Sequence, residues 1–294
     1  RVIRAVEAAT GVPEDAIMMP YSVLRDLSWV LRESDFHVKC VISRDNDRIL
    51  IRDVLPIDNT EPIVGFALDL GTTSLAGVLV DLSTGKILAK ASGGNGQIRY
   101  GADVINRIIE SDKTGGRKRL QDAVIKESII PMLAQMYRTA GINPRRIYRM
   151  VLAGNTTMNH LLLGLHADPV RMEPFVPSFF RADYLYARDI GLKMNPVAEL
   201  IVAPNIGSYV GGDITAGALV SMIWNSPELS LFIDLGTNGE LVFGNNEFLM
   251  SCACSAGPAF EGGDISCGMR ATDGAIEACT IDRDTMEPTL TVVG

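Results

Sequence analysis

The sequence predicts an α/β fold built on an internal duplication, and three observations carry that expectation. The tetrapeptide Asp-Leu-Gly-Thr occurs at Asp69–Thr72 and again at Asp234–Thr237. Each copy sits between strand-like segments, in FALDLGTTSLAGVLVD (66–81) and FIDLGTNGELVFG (232–244). The stretches around both copies run strand, turn, strand, turn, strand, and the chain between them has helical spacing. Helix-rich connections joining two β-meanders define the class.

In chain order, residues 1 to about 56 read as a small α/β module. Val2, Ile3, Val6 and Ala9 form one helical stripe; Val23, Leu24, Leu27, Val30 and Leu31 form another, with Pro20 just ahead of it. VKCVIS and RILIRDV make a hairpin around Arg44–Asp47, and LPIDNTEP, with two prolines and no periodicity, is the linker. The first meander follows as IVGFALDL, SLAGVLVDL and GKILAKAS. Helices are expected at GADVINRIIE and from about Arg119 to Ala140, ended by Gly141. YRMVLAGN is a buried strand running into a helix at TTMNHLLLGL, and LIVAPNIG a strand running into one at GGDITAGALVSMIW. LSLFIDLGTNGELVFGNNEFLMS then repeats the meander, with turns at Gly236–Gly239 and Asn245–Asn246.

The totals exclude several classes of function. A hydrophobic share of 47% over 294 residues supports a packed core. The net charge of −8 disfavours general binding to nucleic acid or anionic membranes, and the basic run Lys113–Arg119 reads as a solvated loop and helix start. No apolar stretch approaches the roughly 18 residues of a membrane span, and no signal-peptide pattern is present. The five cysteines, Cys40, Cys252, Cys254, Cys267 and Cys279, are odd in number and scattered, which fits a reducing cytoplasm better than a disulfide framework. The chain opens inside an amphipathic helix without an initiator methionine and stops at a strand end. It is expected to be a piece of a longer polypeptide.

Each repeated turn places an aspartate at a strand end and a Gly-Thr turn directly after it. A tight glycine turn aims successive backbone N–H groups into one concavity, which suits phosphate oxygens. Gly71, Thr72, Thr73 and Ser74 supply this in the first copy, and Gly236, Thr237, Asn238 and Gly239 in the second. Asp69 and Asp234 suit Mg²⁺, a hard cation that keeps several waters, or an attacking water. Opposed turns of this kind would clamp a polyphosphate for phosphoryl transfer. Asp followed by Gly is also ordinary hairpin chemistry; it is the repetition that raises the phosphate reading above it.

Several longer stretches are more specific: NGQIRYGADVINRI, VLAGNTTMNHLLLG, APNIGSYVGGDITAG and SAGPAFEGGDISCGMRATDGAIE. From about Ile63 onward they resemble the reductive activators of corrinoid proteins, within the acetate and sugar kinase, heat-shock chaperone and actin superfamily. The first 56 residues resemble that family's middle module more loosely. The resemblance implies a ribonuclease H-like, actin-like ATPase fold with duplicated phosphate-loop β-meanders. It implies a small α/β module and linker over 1–61 and an ATPase domain over 62–294, incomplete at its C-terminus. It further implies ATP and Mg²⁺ as ligands, Asn155 and Thr156 among the nucleotide contacts, and a corrinoid protein as partner, whose cobalt ATP helps return from Co(II) to Co(I). A homodimer is left open. The family's electron donor is an N-terminal [2Fe–2S] domain, and its C-x₄-C-x₂-C spacing does not occur here, so that centre is expected outside this chain. A small-molecule kinase of the same superfamily and a non-catalytic, nucleotide-gated binding module are the alternatives.

The remaining polar residues have plainer readings. Asn155 is also a natural N-cap, and both roles can hold, because helix N-termini favour anions. Asp213 reads as a helix cap with a second possibility near the metal water. Asp103 reads as a first-turn acid complementing a helix dipole, and as a site candidate through the resemblance. Glu240 is expected to face solvent or a strand neighbour. In CACSAGPAFEGG, Cys254 resembles in position the cluster-binding cysteine of the 2-hydroxyacyl-CoA dehydratase activators. Cys252 and Cys267 offer no recognised ligand spacing, and free cysteines are most often buried small hydrophobes. Gly257–Gly263 is expected to start a helix near the nucleotide. His37, His160 and His166 lack a zinc pattern, and His160 on its apolar helix reads as a core residue.

Overall fold

The structure, a computed structural model, describes residues 1–236, 238–255, 266, 268–269 and 274–293. Helix α1 (Val2–Thr10) ends on Gly11, which takes the left-handed conformation that favours glycine at this position. Strand β1 (Ile17–Met18), helix α2 (Tyr21–Glu33) and the hairpin β2 (Val38–Asp45) and β3 (Arg48–Pro56) complete the first unit. Its sheet has the order β1-β3-β2. Its core gathers Val6, Ile17, Val23, Ile49, Ile51 and Val54. Leu24, expected in the α2 stripe, lies outside this core and is half exposed.

The first meander comprises β4 (Val64–Leu70), β5 (Ser74–Asp81) and β6 (Ile87–Gly94). Helix α3 (Val104–Asp112) follows, and then α4 (Gly116–Val124) and α5 (Ile130–Ala140), joined by one π-helical turn at Ile125–Ile129. Pro131 has no N–H to donate, so it is accommodated in the first turn of α5. Gly141 closes α5 in the left-handed region. Strand β7 (Ile147–Gly154) leads into α6 (Thr156–Leu163); after α7 (Asp168–Arg171) and β8 (Leu185–Tyr186), β9 (Glu199–Val202) leads into α8 (Gly212–Ser221). The second meander is β10 (Ser230–Leu235), β11 (Asn238–Gly244) and β12 (Leu249–Ser255), and the chain ends in a hairpin of β13 (Ile276–Ile281) and β14 (Pro288–Val292).

Six strands form the central sheet in the order β6-β5-β4-β7-β9-β8. The meander is antiparallel, whereas β4, β7 and β9 are parallel because helical crossovers return the chain to the same edge each time. The period of two along β4 sends Phe66, Leu68 and Leu70 into one face, where they meet Leu120, Val124, Ile129, Leu133 and Met136 of α4–α5. Ala67 and Asp69 take the opposite face and keep solvent contact. That alternation puts the Asp69 carboxylate outside the core at a strand end. The second meander forms its own sheet, β10-β11-β12, whose inner face packs Phe232 and Val242 against α8.

The first unit is seated on the bottom edge of the central sheet. Arg52, buried, donates to Val197 O at 2.5 Å and to Glu199 at 3.0 Å. Arg146 pairs with Asp53 at 3.2 Å and with Glu61 at 2.6 Å, and the Tyr148 hydroxyl donates to Asp53 at 2.8 Å. Val41, Leu55 and Tyr148 fill the space between them. Among the described residues, no helix is long and apolar enough to cross a membrane.

Candidate functional site

Strands β4, β7 and β9 are parallel, so their C-terminal ends share one edge, and three segments converge there. The first turn leaves β4 at Gly71, helix α6 starts after β7, and α8 starts after β9. Such an edge is where open α/β sheets bind ligands. Gly71 is required by proximity: a Cβ there would lie 2.6 Å from Ser74 O, so the turn closes this tightly only without a side chain. Thr72 is buried, and its hydroxyl accepts from Asn155 Nδ2 at 3.2 Å. Asn155 is the N-cap of α6, its Oδ1 accepting from the Met158 N–H at 2.9 Å. One side chain thus ties the first turn to a helix N-terminus, the positive end of a helix dipole.

Thr156 is fully buried, and its hydroxyl donates to Gly207 O at 2.5 Å, so it clasps the β9–α8 loop to α6. Its neighbours extend the clasp. Asn159 donates to Gly154 O and to Asn205 Oδ1, and His160 accepts from the Ser178 N–H on Nε2 while Nδ1 faces Thr156 O. With Nε2 accepting, the proton belongs on Nδ1, and burial pushes the ring's pKa down. His160 is therefore a neutral core residue.

The second turn leaves β10 at Gly236, whose N–H donates to Asn238 O at 2.9 Å. Thr237 lies outside the described residues. Asn238 and Gly239 start β11, and Gly239 O accepts from the Cys254 thiol at 3.1 Å. Cys252 and Cys254 are exposed on β12, while Cys267 and the expected helix start at Gly257–Gly263 lie outside the described residues.

The carboxylates of the two turns are close enough to repel each other. The Asp69 carboxyl sits above its ordinary pKa because the surrounding protein strips part of its hydration and Asp234 adds a like charge. Two further acids join them. Asp213 is pushed up to about 6 by burial and by Asp234 and Asp69, and Glu240 to about 7 by burial and by Asp213 and Asp234. Asp213 is not the cap of α8; Gly211 holds that position and Asp213 lies in the first turn, facing the cluster. Of the two expectations for Glu240, solvent or a strand neighbour, the second holds: it is 6% exposed, and it stands directly across the ladder from Asp234. Asp103 is the N-cap of α3, accepting from the Asn106 N–H at 2.8 Å, rather than a residue inside the first turn.

Four carboxylates thus gather at the ends of β4 and β10 and the start of α8, with no cationic side chain among the causes of the shifts of Asp69, Asp213 and Glu240. The donor set is all oxygen and carries excess negative charge, which suits a hard divalent cation. Among the described residues no three acids, histidines or cysteines converge closely enough to ligate a metal ion directly. Cavities of about 420 Å³, lined by Lys113, Arg117 and His166 among others, and about 300 Å³, at the joint beside Arg146, lie away from both turns.

Raised acid pKa values have a definite sign in stability. Asp213 and Glu240 hold protons in the folded state that they lose in the unfolded state, so stability falls as pH rises from about 4 through about 7. Without nucleotide and Mg²⁺, the protein is expected to be more stable at pH 5.5 than at pH 8, by on the order of 1–3 kcal/mol. Urea denaturation at the two pH values measures it, and Asp213→Asn with Glu240→Gln should flatten the difference.

Residues 64–226 match the family model described as the RACo middle region, and residues 228–294 match the C-terminal domain of RACo, the ASKHA domain. The chain is 35% identical over 268 residues to the corrinoid activation enzyme RamQ of Eubacterium limosum, covering 90% of this chain and 44% of that protein. It is 29% identical over 235 residues to a [Co(II) methylated amine-specific corrinoid protein] reductase of Methanosarcina barkeri, covering 72% of this chain and 40% of that one. A solved structure of a reductive activator for corrinoid, iron–sulfur protein superposes with a TM-score of 0.89 at 37% identity, over 100% of this chain and 46% of the other. The chain spans about half the length of these relatives or less. With both family models placed end to end on an actin-like α/β fold, the chain belongs to the RACo family.

Proposed function

We propose that this chain forms the nucleotide-binding core of an ATP-dependent reductive activator of a corrinoid protein. The observation that supports the site is the like-charge effect of Asp234 on Asp69, two aspartates that each end a strand and lead a Gly-Thr turn. A bare polyphosphate would be repelled by Asp69, Asp213, Asp234 and Glu240; its Mg²⁺ complex would not be. The first turn, Gly71–Ser74, would supply N–H and hydroxyl donors to the phosphates, the second turn would add its own, and the start of α6 at Asn155 adds its dipole. Asp69 and Asp234 would hold the waters of a bound Mg²⁺, and one of them would orient the attacking water. Bound MgATP supplies the free energy of phosphoryl transfer to water.

In the corrinoid partner, one electron converts Co(II) to Co(I). The electron is assigned to a [2Fe–2S] donor outside this chain, in keeping with the missing C-x₄-C-x₂-C spacing in the sequence. The names of the relatives support this partner. The full-length protein, given a Co(II) corrinoid protein, a reductant and MgATP, should deplete the Co(II) absorbance and produce Co(I) only with ATP. ATP consumption that yields a phosphorylated metabolite with no change at cobalt would replace this function with a kinase.

A further inference from the structure

The first turn is held from behind. Three consecutive carbonyl oxygens face the interior, and each has a buried donor: Gly71 O takes Asn95 Nδ2 at 2.9 Å, Thr72 O takes Arg107 Nη2 at 2.6 Å, and Thr73 O takes the Asn95 backbone N–H at 2.8 Å. Asn95 is 2% exposed and Arg107 fully buried. Both are themselves fixed. Asn95 Oδ1 accepts from the Gln97 N–H at 3.0 Å, and Arg107 Nε donates to Gly101 O at 2.9 Å. Gln97, 1% exposed, anchors the same segment by donating to Leu120 O at 3.0 Å.

In a trans peptide the N–H points opposite to the C=O of the preceding residue. Holding the carbonyls of residues 71–73 on these donors therefore turns the N–H groups of residues 72–74 away from them. A burial requirement alone does not explain this arrangement, because glycine-turn carbonyls at a sheet edge can be satisfied by water.

We propose that Asn95 and Arg107 are the positioning residues of the first turn: they fix its peptide planes so that its N–H groups are preset to receive a phosphate. Neither touches the nucleotide. Both act through Gly71, Thr72 and Thr73, and preset donors are worth more than donors that must reorganise on binding. The proposal rests on the nucleotide reading of this edge.

The test uses the full-length protein and measures MgATP and AMP dissociation constants by calorimetry, with a thermal melt of each variant. Asn95→Asp keeps the volume and the Oδ acceptor for Gln97 but loses the donor to Gly71 O. Arg107→Met keeps bulk and loses all donors, and Arg107→Lys keeps one that can reach Thr72 O. Gln121→Leu, which loses a bond to Leu162 O at 3.0 Å far from the turn, is the control for a general loss of stability. Asn95→Asp and Arg107→Met should weaken MgATP about 10-fold or more, with AMP affected less, because it places fewer phosphate oxygens on the turns. Arg107→Lys should fall between Arg107→Met and the wild type, and Gln121→Leu should match the wild type. Folded variants that bind MgATP like the wild type, or that lose MgATP and AMP affinity in equal proportion, would overturn the proposal. If Arg107→Met fails to fold, Asn95→Asp alone decides. A wild type that binds no nucleotide overturns the nucleotide reading itself, which is a separate result.

Discussion

Asp234→Asn in the full-length protein is expected to lower ATP hydrolysis on the order of 10²–10³-fold, the cost of losing a group that positions the reacting water. The substitution changes volume hardly at all and leaves the β10–β11 ladder intact, since Asp234 pairs with Glu240 through its backbone. It also removes one of the like charges that raise Asp69, Asp213 and Glu240. The melting temperature without nucleotide should therefore hold or rise while turnover collapses. Opposite signs separate a functional loss from a folding defect. Steady-state hydrolysis beside a thermal melt reads both, and undiminished turnover would remove Asp234 from the mechanism.

Gly211→Ala should damage stability and nucleotide binding together. An added Cβ would stand 2.4 Å from Asn155 Cα and 2.5 Å from Gly154 O, both backbone atoms that cannot rotate away. The conformation is not the difficulty, since Gly211 has φ −104 and ψ −164. The loop ahead of α8 must instead move off the end of β7, at a cost of about 1–3 kcal/mol or more. Asn155 carries the bond to Thr72, so its displacement loosens the first turn as well. Gly207→Ala in the same loop meets nothing within 4 Å and should change stability by less than about 0.5 kcal/mol. Urea denaturation and MgATP titration of the two variants make the comparison.

What was legible in the sequence follows from short-range physics. The strands of both meanders announce themselves because Phe66, Leu68 and Leu70, or Phe232 and Val242, must reach one face with a period of two. The helix starts at Asn155 and the stop at Gly141 are local chemistry, readable within a turn of chain. Residues whose role depends on register or distant partners were not legible. Glu240 joins the acidic cluster because the hairpin register pairs it with Asp234, and shifting that register by one residue would send it to the other face. The sequence puts the cap of α8 at Asp213, whereas Gly211 holds it, packed against the backbone of Asn155. The partner of the Thr156 hydroxyl, Gly207 O, lies 51 residues away and could not be read locally. Asn95 and Arg107 were visible only as members of a motif, and their bonds to Gly71 and Thr72 span 24 and 35 residues. The signal available was their chemistry: an amide and a guanidinium, once buried, need carbonyl partners somewhere.

The most direct measurement is a crystal structure of the full-length protein with Mg²⁺ and a non-hydrolysable ATP analogue. The expected result places phosphate oxygens within hydrogen-bond distance of backbone N–H groups from both Gly71–Ser74 and Gly236–Gly239, with Mg²⁺ waters reaching Asp69 and Asp234. A triphosphate that touches one turn alone, or that binds away from this sheet edge, would contradict it.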